Sequence, residues 1–140
     1  MLYNRSGNDI VLRLDPGEEV CASVLAVAKK ENIPCASVSA IGATNDFTVG
    51  VFDLNKKSYD LFKYDDGNYE IASLTGSLST MNGEPYQHLH ITLAGTDGTV
   101  RGGHLLSGVI SLTAEIVVTI LPGTLERKKN ETLGINTVRP

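Results

Sequence analysis

All three histidines of the chain, His88, His90 and His104, fall inside Tyr86–Leu106, and no other stretch constrains the fold as much. Tyr86 to Ala94 and Thr99 to Leu106 are strand-like runs. Between them Gly95-Thr96-Asp97-Gly98-Thr99 suits a three-residue hairpin loop, with Gly98 supplying the left-handed conformation that closes a bulged turn. A turn centred on Asp97 predicts that residue 90 pairs with residue 104.

Side chains alternate along a strand, so Gln87, Leu89, Ile91 and Leu93 face one way and Tyr86, His88, His90, Thr92 and Ala94 the other. In the predicted register His104 lies across from His90 and shares a face with His88, with directly paired β-carbons roughly 5 Å apart. Three convergent imidazoles suit zinc or a similar divalent ion, which takes histidine nitrogen at roughly 2.0–2.1 Å and keeps a further position for water, a carboxylate or substrate. Gly102 and Gly103 clear side-chain bulk beside His104, which would let a ligand approach the backbone. A slip of one residue would turn His104 to the opposite face.

The surrounding chain reads as one helix and a set of strands. Asp15-Pro16-Gly17-Glu18 predicts a helix start, with Asp15 as N-cap, Pro16 in the first helical position and Glu18 closing a capping box. Val20, Val24, Val27 and Ala28 then form an apolar stripe that Asn32 and Pro34 end. Strands are expected over Ala36–Ile41, Phe47–Asp53, Ser58–Tyr64, Glu70–Ser79, Tyr86–Ala94, Thr99–Leu106 and Ile110–Leu121. In the last of these, Leu112, Ala114, Ile116, Val118 and Ile120 occupy one face, and Ser111, Thr113, Glu115, Val117 and Thr119 the other. The expected fold class is α+β, a largely antiparallel sheet covered by one main helix.

A chain of 140 residues suits a single domain, with a core over about residues 10–121 and a polar tail over 122–140 that receives no assigned structure. The opening residues lead into a polar turn, and no apolar run is long enough to span a bilayer, so a cytoplasmic protein without membrane association is expected. Cys21 and Cys35 form no CxxC pair and read as buried free thiols. The net charge is −4 and the densest basic run is Arg127-Lys128-Lys129, a balance that argues against a surface built to hold phosphate backbones.

Glu115 stands on the polar side of an apolar strand, where it reads either as a carboxylate ligand or general base or as an exposed strand glutamate. Arg101 would hold an anion less readily, since the register sets it opposite Leu93, away from the histidines. Nucleophile elbows and phosphate-binding glycine loops are absent from the sequence.

Gly67-Asn68-Tyr69-Glu70-Ile71-Ala72-Ser73-Leu74-Thr75-Gly76-Ser77-Leu78, followed by His88-Leu89-His90, by Gly102-Gly103-His104-Leu105 and by Thr113-Ala114-Glu115-Ile116, resembles the PPC domain, conserved in plants and prokaryotes. The resemblance runs from about Arg13 to Leu121 and includes Ile41-Gly42-Ala43 and Gly50-Val51-Phe52-Asp53. It implies an α+β fold that assembles as a homotrimer. Plant members follow AT-hook segments and mediate self-association and partner binding; prokaryotic members usually stand alone and carry a DNA-binding label by that relationship. This chain has no Arg-Gly-Arg-Pro hook and keeps three histidines that plant domains generally lack. The His-x-His…His pattern is also similar to the zinc site of acetolactate decarboxylase, whose fold resembles that of the PPC domain; His88, His90 and His104 alone carry that likeness.

Two functions follow as expectations. One is a trimeric binding module of the DNA-binding-labelled class, carrying a three-histidine metal site. The alternative is a zinc-dependent enzyme of lyase or hydrolase type acting on a small carbonyl or carboxylate compound, with Glu115 or a residue from a neighbouring subunit handling protons.

Overall fold

Alternating apolar residues give the chain its strands, and the computed structural model, which describes residues 1–139, arranges them as one mostly antiparallel sheet with one helix. The elements are β1 (Leu2–Ser6), β2 (Asp9–Leu14), α1 (Val20–Lys30), β3 (Ala36–Asp53), β4 (Ser58–Tyr64), β5 (Tyr69–Met81), β6 (Glu84–Gly95), β7 (Val100–Ile120), β8 (Glu126–Asn130) and β9 (Ile135–Arg139). β3 pairs with β5, β5 with β6, β6 with β7 and β7 again with β3, so these four ladders close on themselves. β2 extends the sheet beyond β7, β4 lies along β3, and the β8–β9 hairpin attaches to β5 through the parallel pair Thr80–Glu126.

Two expectations about the strands are corrected. Residues 36–53 form one strand where two were expected, and 100–120 likewise. The intervening glycines and polar residues produce register shifts between Ala40 and Gly42, Gly42 and Thr44, and Thr44 and Asp46 instead of turns. Bulges bend a strand without ending it, so β3 and β7 each serve several neighbours in succession. One of these irregularities sets residues 111–113 against Ala43 alone, since Gly42 pairs with Ala114 and Thr44 with Ile110. It turns Leu112 outward, 68% exposed, while Ile110, Ala114, Ile116 and Val118 stay buried.

The helix starts later than expected. Residues 15–18 form a separate turn in which the Asp15 amide donates to Glu18 Oε2 (2.8 Å) and the Glu18 amide to the Asp15 carbonyl (3.2 Å). Glu19 is the N-cap, its carboxylate accepting from the amides of Cys21 (3.0 Å) and Ala22 (2.6 Å). The C-terminal end follows the sequence: Asn32 adopts φ 51°, the Ile33 amide donates to the Ala28 carbonyl (2.9 Å) and the Asn32 amide to that of Lys29 (3.3 Å). Val20, Cys21, Val24, Val27 and Ala28 are buried, and α1 packs on β6 and β7.

Leu12, Leu14, Phe47, Leu78, Leu89 and Leu93 are fully buried core members. Burial of each such side chain is worth roughly 1.5–3 kcal/mol, so this core fixes which face of β6 remains for chemistry. The segment after Pro122, to which the sequence reading assigns no structure, forms the β8–β9 hairpin, whose turn carries Asn130 Oδ1 accepting from the amides of Thr132 and Leu133 (both 3.1 Å). Pro140 lies outside the described residues. No helix among the described residues is long and apolar enough to cross a membrane.

Candidate metal centre

Leu89, Ile91 and Leu93 turn into the core, which forces His88 and His90 onto the opposite side of β6. The β6–β7 turn has the predicted register: His90 pairs with His104 and Leu93 with Arg101. Gly98 has φ 80°, and the amides of Gly98 and Gly95 close the loop on the carbonyls of Gly95 (3.0 Å) and Thr99 (2.9 Å).

The three histidines converge. Each offers a ring nitrogen, and the three nitrogens lie within 4.8 Å of one another. His88 Nε2 and His90 Nε2 are 3.3 Å apart, and two nitrogens bound about 2.05 Å from a tetrahedral ion stand roughly 3.3 Å apart. The spacing therefore fits a zinc-like ion without rearrangement of this pair. His104 stacks on Tyr59, with centroids 5.0 Å apart and planes at 28°, and its Nδ1 is buried without a hydrogen-bond partner among the described residues.

Burial pushes His88 down to about 4, helped by the Arg127 guanidinium and by the two other imidazoles. The same causes, burial first, then His90 and Arg127, hold His104 below the ordinary histidine range. Neutral imidazoles are the ligating form, so the site keeps at least two lone-pair donors at neutral pH.

Beside the histidines lies a cavity of about 170 Å³ lined by Tyr59, Tyr86, His88, His104, Arg127 and Asn136, among others. Its notable group is Arg127, 6% exposed. Arg127 Nε donates to Ser79 Oγ (3.0 Å), Nη1 to the Asn136 carbonyl (3.1 Å), and Nη2 to Ser77 Oγ and His88 Nδ1 (3.3 Å each). Its Cζ lies 5.3 Å from the centroid of the Tyr86 ring. Guanidinium cannot accept, so Nδ1 of His88 is the acceptor and its proton sits on Nε2.

Sequence reasoning missed Arg127, Tyr59, Tyr86 and Asn136. A signal for the first existed: Asn130-Glu131-Thr132-Leu133-Gly134 between two short alternating runs is a hairpin pattern, and it would have put Arg127 on one face of an edge strand. Glu115 sits elsewhere. It pairs with Arg13 and Ile41 and lines a depression with Gly42, Glu70 and Thr113. From residue 104 to residue 115 there are eleven steps of the same strand, at about 3.3 Å each. Arg101 turns away from the histidines, over the Tyr64 ring at 4.6 Å and donating to the Tyr69 hydroxyl at 3.5 Å.

Gly102 and Gly103 serve the sheet and leave no opening for a ligand. A β-carbon on Gly102 would come within 2.5 Å of the Ile91 carbonyl oxygen, and one on Gly103, at φ 155°, within 2.8 Å of that of Gly50. Neighbouring strands occupy the space that the missing side chains leave.

The model of the Plants and Prokaryotes Conserved (PCC) domain matches residues 1–122. A solved protein of Bacteroides thetaiotaomicron, whose name proposes DNA binding, is 32% identical with TM-score 0.94, over 99% of this chain and 96% of that one. A metal-containing protein of Archaeoglobus fulgidus is 30% identical with TM-score 0.87, over 100% of this chain and 99% of that one. AT-hook motif nuclear-localized protein 8 of Arabidopsis thaliana is 26% identical over 133 residues, 92% of this chain and 33% of its own length. The chain spans a third or less of the curated relatives it matches. Alpha-acetolactate decarboxylase of Bacillus subtilis, 13% identical with TM-score 0.57 over 88% of this chain and 57% of that one, shares the fold alone.

Proposed function

The chain belongs to the Plants and Prokaryotes Conserved domain family, and from that premise we propose that it is a metal-binding member in which His88, His90 and His104 hold zinc or a similar divalent ion beside a pocket for a small carbonyl or carboxylate compound. The carrying observation is the convergence of three ring nitrogens next to a cavity, with one pair already at the spacing of tetrahedral ligands. The metal-containing relative adds support.

A divalent ion in such a site supplies Lewis-acid polarisation of a carbonyl or carboxylate oxygen. The chain's own residues do the rest. His88 and His104 stay neutral, Tyr59 holds the His104 ring by stacking, and the cavity of about 170 Å³ is smaller than the 300–1,000 Å³ pockets that take drug-sized ligands, which suits a small compound. Chemistry at this centre would be of lyase or hydrolase type. Glu115 would take part only from a neighbouring subunit, because the strand carries it far from His104 in its own chain.

Assembly as a homotrimer and a cytoplasmic location belong to the same reading. Ile41, Val51, Leu61, Leu106, Leu112 and Val117 are exposed on β3, β4 and β7, more apolar surface than strands facing water need. Leu61 and Leu106 flank Gly50, which pairs with His104, so the apolar surface reaches the edge of the histidine site. Light scattering in solution tests the trimer, and a monomer would overturn it.

The DNA-binding reading rests on the names of relatives. The charge pattern disfavours it: Arg127 is buried, and Lys128 and Lys129 pair with Glu126 (3.4 Å) and Glu131 (3.1 Å). DNA binding that weakens steeply with salt would restore it.

The deciding experiment is metal content of protein purified without a His tag, for the wild type and for His88→Ala and His104→Ala. Roughly one zinc-like ion per chain, lost in both variants, is expected. A folded wild type that neither contains nor takes up zinc would overturn the reading.

A further inference from the structure

Among the described residues Arg127 is a buried cation without an anionic partner. Among the described residues none of its partners is a carboxylate: two serine hydroxyls, a carbonyl, an imidazole and an aromatic ring surround it. Buried charges are normally paired, because neutral acceptors replace the hydration of a guanidinium only in part. The acidic groups of its own hairpin, Glu126 and Glu131, pair with lysines instead. Arg127 also lines the cavity that His88 and His104 border.

We propose that Arg127 is the anion-recognising residue of this pocket, binding the carboxylate of a small organic acid next to the histidine centre. The inference rests on the metal reading above and names the charged end of the ligand that centre takes.

Donor arithmetic supports it. Guanidinium has five N–H donors, and four are engaged here, leaving one on Nη1. The bond to His88 cannot coexist with ligation by that histidine. Ligation through Nε2 moves the imidazole proton to Nδ1, where it opposes the Arg127 donor, and ligation through Nδ1 uses the accepting lone pair. Either way the Nη2 donor faces the imidazole without an acceptor, and the guanidinium loses one of its neutral partners. The free Nη1 donor is the one that a carboxylate takes by a charge-assisted hydrogen bond. Metal loading therefore favours an anion beside Arg127.

A purely structural Arg127 that pins the β8–β9 hairpin to β5 would show the same hydrogen bonds, so the test must separate the two roles. Pyruvate is the probe, since it carries a carboxylate for Arg127 and an adjacent carbonyl; methyl pyruvate is the uncharged counterpart. Binding is measured by calorimetry on zinc-loaded and zinc-free protein, with zinc content and unfolding temperature recorded for every sample. Zinc-loaded wild type should bind pyruvate in preference to the ester, and more tightly than the zinc-free form does.

Arg127→Gln should keep its zinc and lose pyruvate affinity roughly tenfold to hundredfold, the range for hydrogen bonds to charged groups. Ser77→Asp retains the arginine but gives it an internal counter-ion, and should show the same loss with an unfolding temperature at or above that of the wild type. If Arg127→Gln fails to fold, Ser77→Asp decides. Equal affinity for acid and ester, or undiminished pyruvate binding in a folded variant, would overturn the assignment. Zinc bound without pyruvate binding would overturn it and leave the metal reading intact, whereas a wild type that takes no zinc overturns both.

Discussion

His90 lies directly across from His104 in the β6–β7 ladder, so two histidines fourteen positions apart in the chain are neighbours in space. Because the ladder alternates faces, the pair depends on register more than on composition. His104→Ala combined with Leu105→His should therefore fail to recover metal, since residue 105 points into the core at 4% exposure. Zinc stoichiometry after dialysis reads this directly, and recovery to one ion per chain would contradict the register.

Glu115→Gln should leave metal stoichiometry unchanged. The carboxylate belongs to a different depression from the one the histidines border. Any effect should be confined to turnover and should depend on the assembled oligomer. Loss of metal in a monomeric sample of this variant would make Glu115 a ligand within its own chain.

Gly76 is the position where backbone approach is tightest near the site. A β-carbon there would collide with the carbonyl of His88, a backbone atom that cannot turn aside. Gly76→Ala should destabilise by about 1–3 kcal/mol, as overpacking does, and weaken metal retention by displacing His88. Gly67→Ala is the control, because a β-carbon there meets nothing within 4 Å. Denaturant unfolding of the two variants gives the comparison.

Glu19 caps the helix and also ties it to the sheet, its Oε1 accepting from the Gly108 amide at 2.9 Å. Glu19→Ala should cost about 1–3 kcal/mol, from the lost cap and the amide left unpaired. Metal content should not change, since Gly108 pairs with Phe47 and lies outside the His90–His104 pairing. Urea midpoints and zinc assays on the same samples check both statements.

Cys21 and Cys35 are buried, and burial, assisted by the nearby Glu19 carboxylate, pushes the Cys21 thiol up to about 12. Thiolate is the reactive form, so a disulfide reagent at pH 8 should find no fast-reacting thiol in the native protein. Two should appear after denaturation. A fast-reacting native thiol would show that one of these sites opens.

The parts of the site legible in the sequence were those set by short-range geometry. Turn length around Asp97 fixes the pivot of a hairpin, and strand alternation then puts His88, His90 and His104 on one face. The stop of α1 at Asn32 was legible for a similar reason, since a left-handed residue satisfies the last carbonyls locally. The bulges of β3 and β7 were not, because Gly42 or Gly108 in a strand pattern reads equally well as a turn, and only the neighbouring strands decide. Leu112 shows the consequence: its parity matched the core, and an irregular pairing opposite Ala43 turned it to solvent.

By itself the sequence determined the strand-rich α+β class, one helix, the histidine register and the chemistry of three imidazoles, because each follows from periods of two or 3.6 residues and from a turn a few residues long. Only the tertiary structure decided that Arg127 stands against His88, and that Glu115 does not. Which strand an edge hairpin joins, and how far a long bulged strand carries a residue from its neighbour's site, depend on contacts between segments distant in the chain. Local pattern holds no record of those contacts, and in this protein they supply the pocket's only buried charge among the described residues.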